Sequence, residues 1–198
     1  MTGLREQHKR TTRRALEDAA LRLFARDGYE STSAGAIAAE AGVTERTFFR
    51  YFATKDGVLT PDREERQARL HEEVARAAEP GRTTMQVAAT ALVAIAPEYE
   101  AERATMLLRR RAATTSPVLR GRLYDVVHTW QRTLATALAD AGFAVLESDV
   151  TAEAATALWQ GSITRWLDAD ADETGAGTLG EHLVAAFSVL KLAESAAP

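Results

Sequence analysis

The sequence predicts an all-α fold of about nine helices, on three observations. Ala, Leu, Arg and Glu make up about half of the 198 residues while glycine and proline number 12 and 5, and such side chains lose little rotamer freedom in a helix. Apolar residues recur at three- and four-residue spacing in segment after segment, and no stretch alternates convincingly with period two. Capping residues ahead of these segments and glycines behind them give each a start and a stop.

Leu16, Ala20, Leu23 and Phe24 define a first helix from about Thr11 to Asp27, ended by Gly28. Ser33 caps a short helix through Glu40 that turns Ile37, Ala38 and Ala41 toward a core, and Gly42 supplies the positive φ of a tight turn. Thr44 caps the next, which runs to about Tyr51. Thr54 is placed to cap a further helix from Lys55, which Pro61 kinks or restarts near Asp62 and which ends before Pro80. A helix from Thr84 to Ile95 breaks at Pro97, and another covers Glu98 to about Ala113. Ser116 followed by Pro117 marks the start of a long helix that Gly142 ends. Ser148 or Asp149 opens the next, through Trp159 and Trp166 to about Leu167. Residues 168–180, acidic and glycine-rich, read as a mobile surface loop, and a last helix from about Leu179 to Leu192 carries Leu183, Phe187 and Leu190.

Charge is unevenly spread. Residues 1–60 hold 10 Lys/Arg against 8 Asp/Glu, and residues 61–198 hold 14 against 20. The basic start, with Arg13 and Arg14 among its charges, gives one end of an acidic chain a means of meeting phosphates. There is no cysteine, which excludes a disulfide framework, a thiolate metal site and a thiol nucleophile. No apolar run reaches the length of a membrane span and no signal segment follows the charged start, so the expectation is a cytoplasmic protein without membrane contact.

Two short capped helices around Gly42 have the spacing of a helix-turn-helix, in which the first helix fixes the angle of the second. Phe48 and Phe52, at i and i+4, form the inward stripe of the second helix, leaving Glu45, Arg46, Thr47, Phe49 and Arg50 for other faces. Arg46 has a planar double donor suited to guanine O6 and N7, and Thr47 suits a thymine methyl or a phosphate. Phe49 fits against a methyl or sugar, while Thr44, Tyr51 and Lys55 are placed for the DNA backbone.

The run GYESTSAGAIAAEAGVTERTFFRYFATKDGVL, residues 28–59, preceded by Ala19-Ala20 and Leu23-Phe24, resembles the signature of the TetR family of regulators over about residues 10–59. The resemblance implies capping and phosphate contact for Ser33 and Thr44, base or phosphate contact for Thr47, and phosphate contact for Tyr51 and Lys55. Three positions depart from it: Phe49 where tyrosine is common, Arg46 where a small residue is usual, and Gly35 where a polar or basic residue often faces phosphate. It further implies DNA binding by residues 1–55 and effector binding and dimerisation by residues 56–198. The dimer would join through the last two helices, residues about 149–167 and 179–192, on a palindromic double-stranded operator, and a small-molecule effector would release it.

For the effector cavity the candidates are Trp130 and Trp159, with Tyr99, Met106, Tyr124 and His128. Ordinary core packing is the alternative for each, since aromatic residues at helical spacing usually belong to a core. Arg109, Arg110 and Arg111 point about 100° apart, so a solvated face is the expectation there. The four histidines lack metal-ligand spacing. Asp168, Asp170 and Asp172 imitate a calcium loop, but Glu173 stands where glycine is required and Leu179 where a glutamate ligand belongs. Neither a metal nor a cofactor is expected, nor an enzyme, since no catalytic cluster emerges. The rival reading is a DNA-binding regulator without a small-molecule effector, controlled by a protein partner or by its own concentration.

Overall fold

A computed structural model describes residues 2–60, 62–169 and 177–194, with side chains from residue 7 to residue 189. Pro61, Asp170, Asp172, Glu173 and the Leu190 side chain, all named above, lie outside the described residues. Among those described there are nine α-helices and no strand: α1 (Thr2–Asp27), α2 (Ala34–Glu40), α3 (Glu45–Tyr51), α4 (Arg63–Ala77), α5 (Thr84–Glu100), α6 (Arg103–Thr115), α7 (Pro117–Asp140), α8 (Val145–Asp168) and α9 (Leu179–Glu194). A 3-10 turn, Lys55–Leu59, follows α3. None of the helices is long and apolar enough to cross a membrane.

The chain forms two compact units, Met1–Arg63 with Ala104–Val126, and Glu64–Arg103 with Val127–Pro198. In the first, Leu16, Ala20, Leu23 and Phe24 of α1 form the stripe expected from their spacing, and all are buried, as is Ala19 beside them. They pack with Ile37 and Ala38 of α2, with Phe48 of α3 and Phe52 just past it, and with Val58 and Leu59 of the turn. Ala112 and Leu119 join this core from α6 and α7. Each fully buried large side chain contributes roughly 1.5–3 kcal/mol. Glu17, on the same face of α1, is buried and ion-paired with Arg109 of α6.

In the second unit α5, α8 and α9 pack pairwise against one another. The buried stripe of α5 is Val87, Ala88, Ala91, Leu92, Ile95, Ala96 and Tyr99, that of α8 includes Ala152, Ala155, Trp159 and Trp166, and that of α9 is Leu179, Leu183 and Phe187.

Several expected boundaries are corrected. α1 begins at Thr2, because the Arg-, Lys- and Gln-bearing stretch ahead of its apolar stripe continues the helix; Thr11 and Thr12 donate to the Gln7 and His8 carbonyls inside it. Thr54 makes no side-chain cap, and the helix expected from Lys55 is a 3-10 turn with α4 starting at Arg63. Pro97 lies inside α5: the missing N–H forfeits one hydrogen bond, while Ile95, Ala96 and Tyr99 stay buried on both sides of it. The Ala101 N–H then donates to the Pro97 carbonyl, and α6 starts at Arg103. α8 opens at Val145 on an N-cap, Ala144, whose side chain cannot cap, and Ser148 is a buried residue within the helix. Other signals correspond to structure. Ser116 Oγ accepts from the Leu119 N–H, and Thr83 with Gln86 forms a reciprocal capping box at α5.

Candidate functional site

The α2–α3 corner is built by its turn. Gly42 has φ +70°, the Gly42 N–H donates to the Ala39 carbonyl at 3.0 Å, and the Val43 N–H donates to the Ala38 carbonyl at 2.9 Å. This paired bonding is the left-handed helix stop that closes the last carbonyls of α2. The chain re-enters a helix at once, because Thr44 Oγ1 accepts from the Thr47 N–H at 3.2 Å. Ser33 does the same for α2, accepting from the Ala36 N–H at 3.0 Å.

Phe48 fixes which face of α3 is buried. Its ring is fully enclosed and packs against Phe52 and Phe49 at centroid distances of 5.5 and 5.4 Å. Helical geometry then forces Glu45, Arg46, Phe49 and Arg50 outward, and all four are exposed, with Thr47 half-buried beside them. Phe49 is 52% exposed. The Arg50 guanidinium lies 5.3 Å from the Tyr51 ring centroid, and Tyr51 is half-buried. The Glu45 carboxylate occupies the space beside Gly35, 3.5 Å from where a side chain there would begin, so the missing polar group at Gly35 leaves room for Glu45.

Two basic residues expected at phosphates are engaged within this unit. Lys55 Nζ donates to the Tyr29 and Thr32 carbonyls at 2.7 and 3.2 Å and sits 3.9 Å from the Tyr29 ring centroid. The same tyrosine's hydroxyl is pushed up in pKa by burial and further by the Asp56 carboxylate, so it stays a neutral phenol. Arg13 pairs with Asp62 at 2.5 Å, whereas Arg14 is exposed.

Of the residues expected to line a cavity, Tyr99, Trp130 and Trp159 come together in the second unit. Trp130 and Trp159 are stacked with rings 18° from parallel and centroids 6.3 Å apart; Tyr99 stands edge-on to them at 6.1 and 4.9 Å. Met106 and Tyr124 belong to the first unit, where Tyr124 is 70% exposed, and His128 is exposed. Arg66 and Glu102, which sequence reasoning missed, flank the rings. The Arg66 guanidinium lies 4.8 Å from the Tyr99 centroid and donates to Glu102 Oε2 at 2.6 Å. Burial opposes its charge, but Tyr99 and Glu102 outweigh that and raise its pKa. Among polar helix residues these two look solvated, and no spacing distinguishes them. Among the described residues no cluster of His, Asp and Glu could hold a metal ion.

Residues 16–60 match the family described as bacterial regulatory proteins, tetR family. Over 60 residues the chain is 50% identical to the HTH-type transcriptional regulator TcmR of Streptomyces glaucescens, a match covering 30% of this chain and 26% of that protein. The chain thus spans about a quarter of that relative's length. Solved structures extend the likeness in fold. FadR of Thermus thermophilus, a TetR-family transcriptional repressor in complex with lauroyl-CoA, has TM-score 0.55 at 24% identity, covering 90% of this chain and 93% of that one. The fatty acid degradation regulator FadR of Bacillus halodurans has TM-score 0.57 at 19% identity, covering 90% and 94%.

Proposed function

We propose, from the match of residues 16–60 to the tetR family of bacterial regulatory proteins, that this chain is a ligand-responsive DNA-binding transcriptional repressor of that family. The observation that carries the reading is the division of α3 by the buried Phe48 ring. Arg46 and Arg50 project from the side opposite Phe48, flanked by Thr47 and Phe49, with Thr44 and Glu45 exposed at the start of the helix, and together they form a short probe carrying groups suited to base edges and phosphates. Arg46 reads a guanine, Phe49 lies against a thymine methyl or a sugar, and Ser33, Thr44, Thr47 and Tyr51 serve the backbone. Arg14 adds charge from α1. Lys55 contributes by bracing the loop after α1.

The repressor acts as a homodimer on a palindromic double-stranded operator. Supporting this, α8 and α9 carry exposed large apolar residues, Leu146 at 76%, Val150 at 58%, Val184 at 55% and Val189 at 63%, an apolar area that a second copy would cover. Residues 56–198 receive a small apolar or amphipathic effector, for which the Tyr99, Trp130 and Trp159 cluster is the proposed site. An effector that prefers the state with the wrong spacing of recognition helices lowers operator affinity by the coupling free energy, typically about 1–3 kcal/mol. The chain acts as a regulator in the cytoplasm rather than as an enzyme.

The test uses a duplex selected from random sequence, labelled and titrated with the full-length protein in the presence of a metabolite library. The expected result is tight, salt-sensitive binding to a palindrome, lost with one class of metabolite. A sequence-specific complex that no metabolite weakens would leave the regulator and remove the effector.

A further inference from the structure

Glu45 and Arg46 stand side by side in the first turn of α3, both exposed, and among the described residues neither side chain has a hydrogen bond or an ion pair. A carboxylate at this place favours the helix through the backbone dipole. It also lies on the surface turned toward DNA, where a negative charge that loses its water and finds no donor weakens the complex.

The resting place of Glu45 makes that cost specific. Its Oε2 and the Oγ of Ser33 stand 3.5 and 3.7 Å from the point where a side chain on Gly35 would begin. The carboxylate therefore overhangs the start of α2, beside the hydroxyl assigned to a phosphate, and an arriving phosphate meets it as a like charge. Docking turns it away from α2 and into the groove that Arg46 enters.

The base edges decide what it finds there. In the major groove guanine offers O6 and N7 and thymine O4, all acceptors; adenine sets its N7 acceptor beside the N6 amino group; cytosine offers the N4 amino group alone. Cytosine is thus the base edge that receives a carboxylate with no acceptor adjoining on the same base. Successive helix residues point about 100° apart, which carries Glu45 to a neighbouring base pair rather than to the one that Arg46 reads.

We propose that Glu45 is a specificity-determining residue: its carboxylate accepts from the N4 amino group of a cytosine in a base pair next to the guanine of Arg46, and it opposes every duplex that lacks that donor. This role rests on the reading of α3 as the DNA probe and adds to it a class of rejected sites.

The test starts from the duplex that full-length wild type selects from random sequence, with the guanine of Arg46 located as the position where Arg46→Ala loses preference. Each flanking base pair is replaced by its three alternatives, and all the duplexes are titrated with wild type, Glu45→Ala and Glu45→Gln by fluorescence anisotropy. Wild type prefers cytosine in one flanking pair by about fivefold or more, and Glu45→Ala narrows this to within about twofold by binding the altered duplexes more tightly than wild type does. Glu45→Gln, whose amide pairs with both N6 and N7 of adenine, gains about fivefold on the duplex with adenine there. A residue that only steadied α3 would weaken every duplex together when replaced. Glu45 is exposed, so both variants keep the fold, which a circular dichroism melt checks. A selected site with no cytosine in either flanking pair, a cytosine preference intact in Glu45→Ala, or equal weakening on all duplexes overturns this role and leaves α3 as the probe. Failure of wild type to select any site overturns both.

Discussion

The ammonium of Lys55 is held by Tyr29: it donates to the Tyr29 carbonyl at 2.7 Å and lies 3.9 Å from the centre of the same residue's ring. A lysine in this place reads from sequence as a phosphate contact, and its surroundings make it a brace between the turn after α3 and the loop after α1. Hydrogen bonds from a charged donor contribute about 1.5–3 kcal/mol and a cation over a ring about 0.5–1 kcal/mol. Lys55→Met is therefore expected to cost about 2 kcal/mol of stability and to leave the slope of DNA affinity against salt unchanged. Intact stability with a slope reduced by about one phosphate contact would return Lys55 to the DNA.

Gly42 gives a cleaner test of the turn. Its φ is +70°, and a side chain built there meets nothing within 4 Å, so the cost of a substitution is backbone strain alone. Gly42→Ala is expected to lose about 1–2 kcal/mol, with Gly42→Asn recovering part of it because asparagine tolerates the left-handed region. Thermal melts of the three proteins decide the order; a fully stable alanine variant would contradict it.

Glu17 and Arg109 form an ion pair with side chains 7% and 14% exposed. Removing one partner of a buried pair strands the other charge and costs about 3–5 kcal/mol, whereas replacing both with apolar residues is often neutral. Arg109→Met should lower Tm by roughly 6–20 °C, and Glu17→Met with Arg109→Met should restore most of it. If the double variant melts below the single, the pair stabilises the unit beyond mutual neutralisation.

Leu146 and Val150 lie one turn apart on the exposed side of α8. If a second copy covers them, Leu146→Glu with Val150→Glu converts the dimer to monomer in sedimentation at micromolar concentration, and operator affinity falls with it. An unchanged sedimentation coefficient would place the dimer surface elsewhere.

What could be read from the sequence followed from signals that act locally. The α2–α3 corner was legible because Ser33, Gly42 and Thr44 each perform a backbone task that few other residues can. The start of α8 was hidden because Ala144 carries no capping group, and the passage of α5 through Pro97 was hidden because its cause, a buried stripe continuing to Tyr99, is tertiary. Arg66 beside Tyr99 and Lys55 beneath Tyr29 share that origin. A charged residue announces its charge in sequence, but whether it faces water or a ring is decided by elements far along the chain.

If α3 is the part that reads DNA, Arg46 is its most informative residue, because it is exposed and nearby Phe48 is not. The measurement is selection of binding sites from random duplexes by wild type and by Arg46→Ala in parallel. Wild type is expected to select one palindromic site and the variant the same site with preference relaxed at a single symmetric position, worth about 1–3 kcal/mol. Identical preferences for both proteins, or none for either, would contradict it.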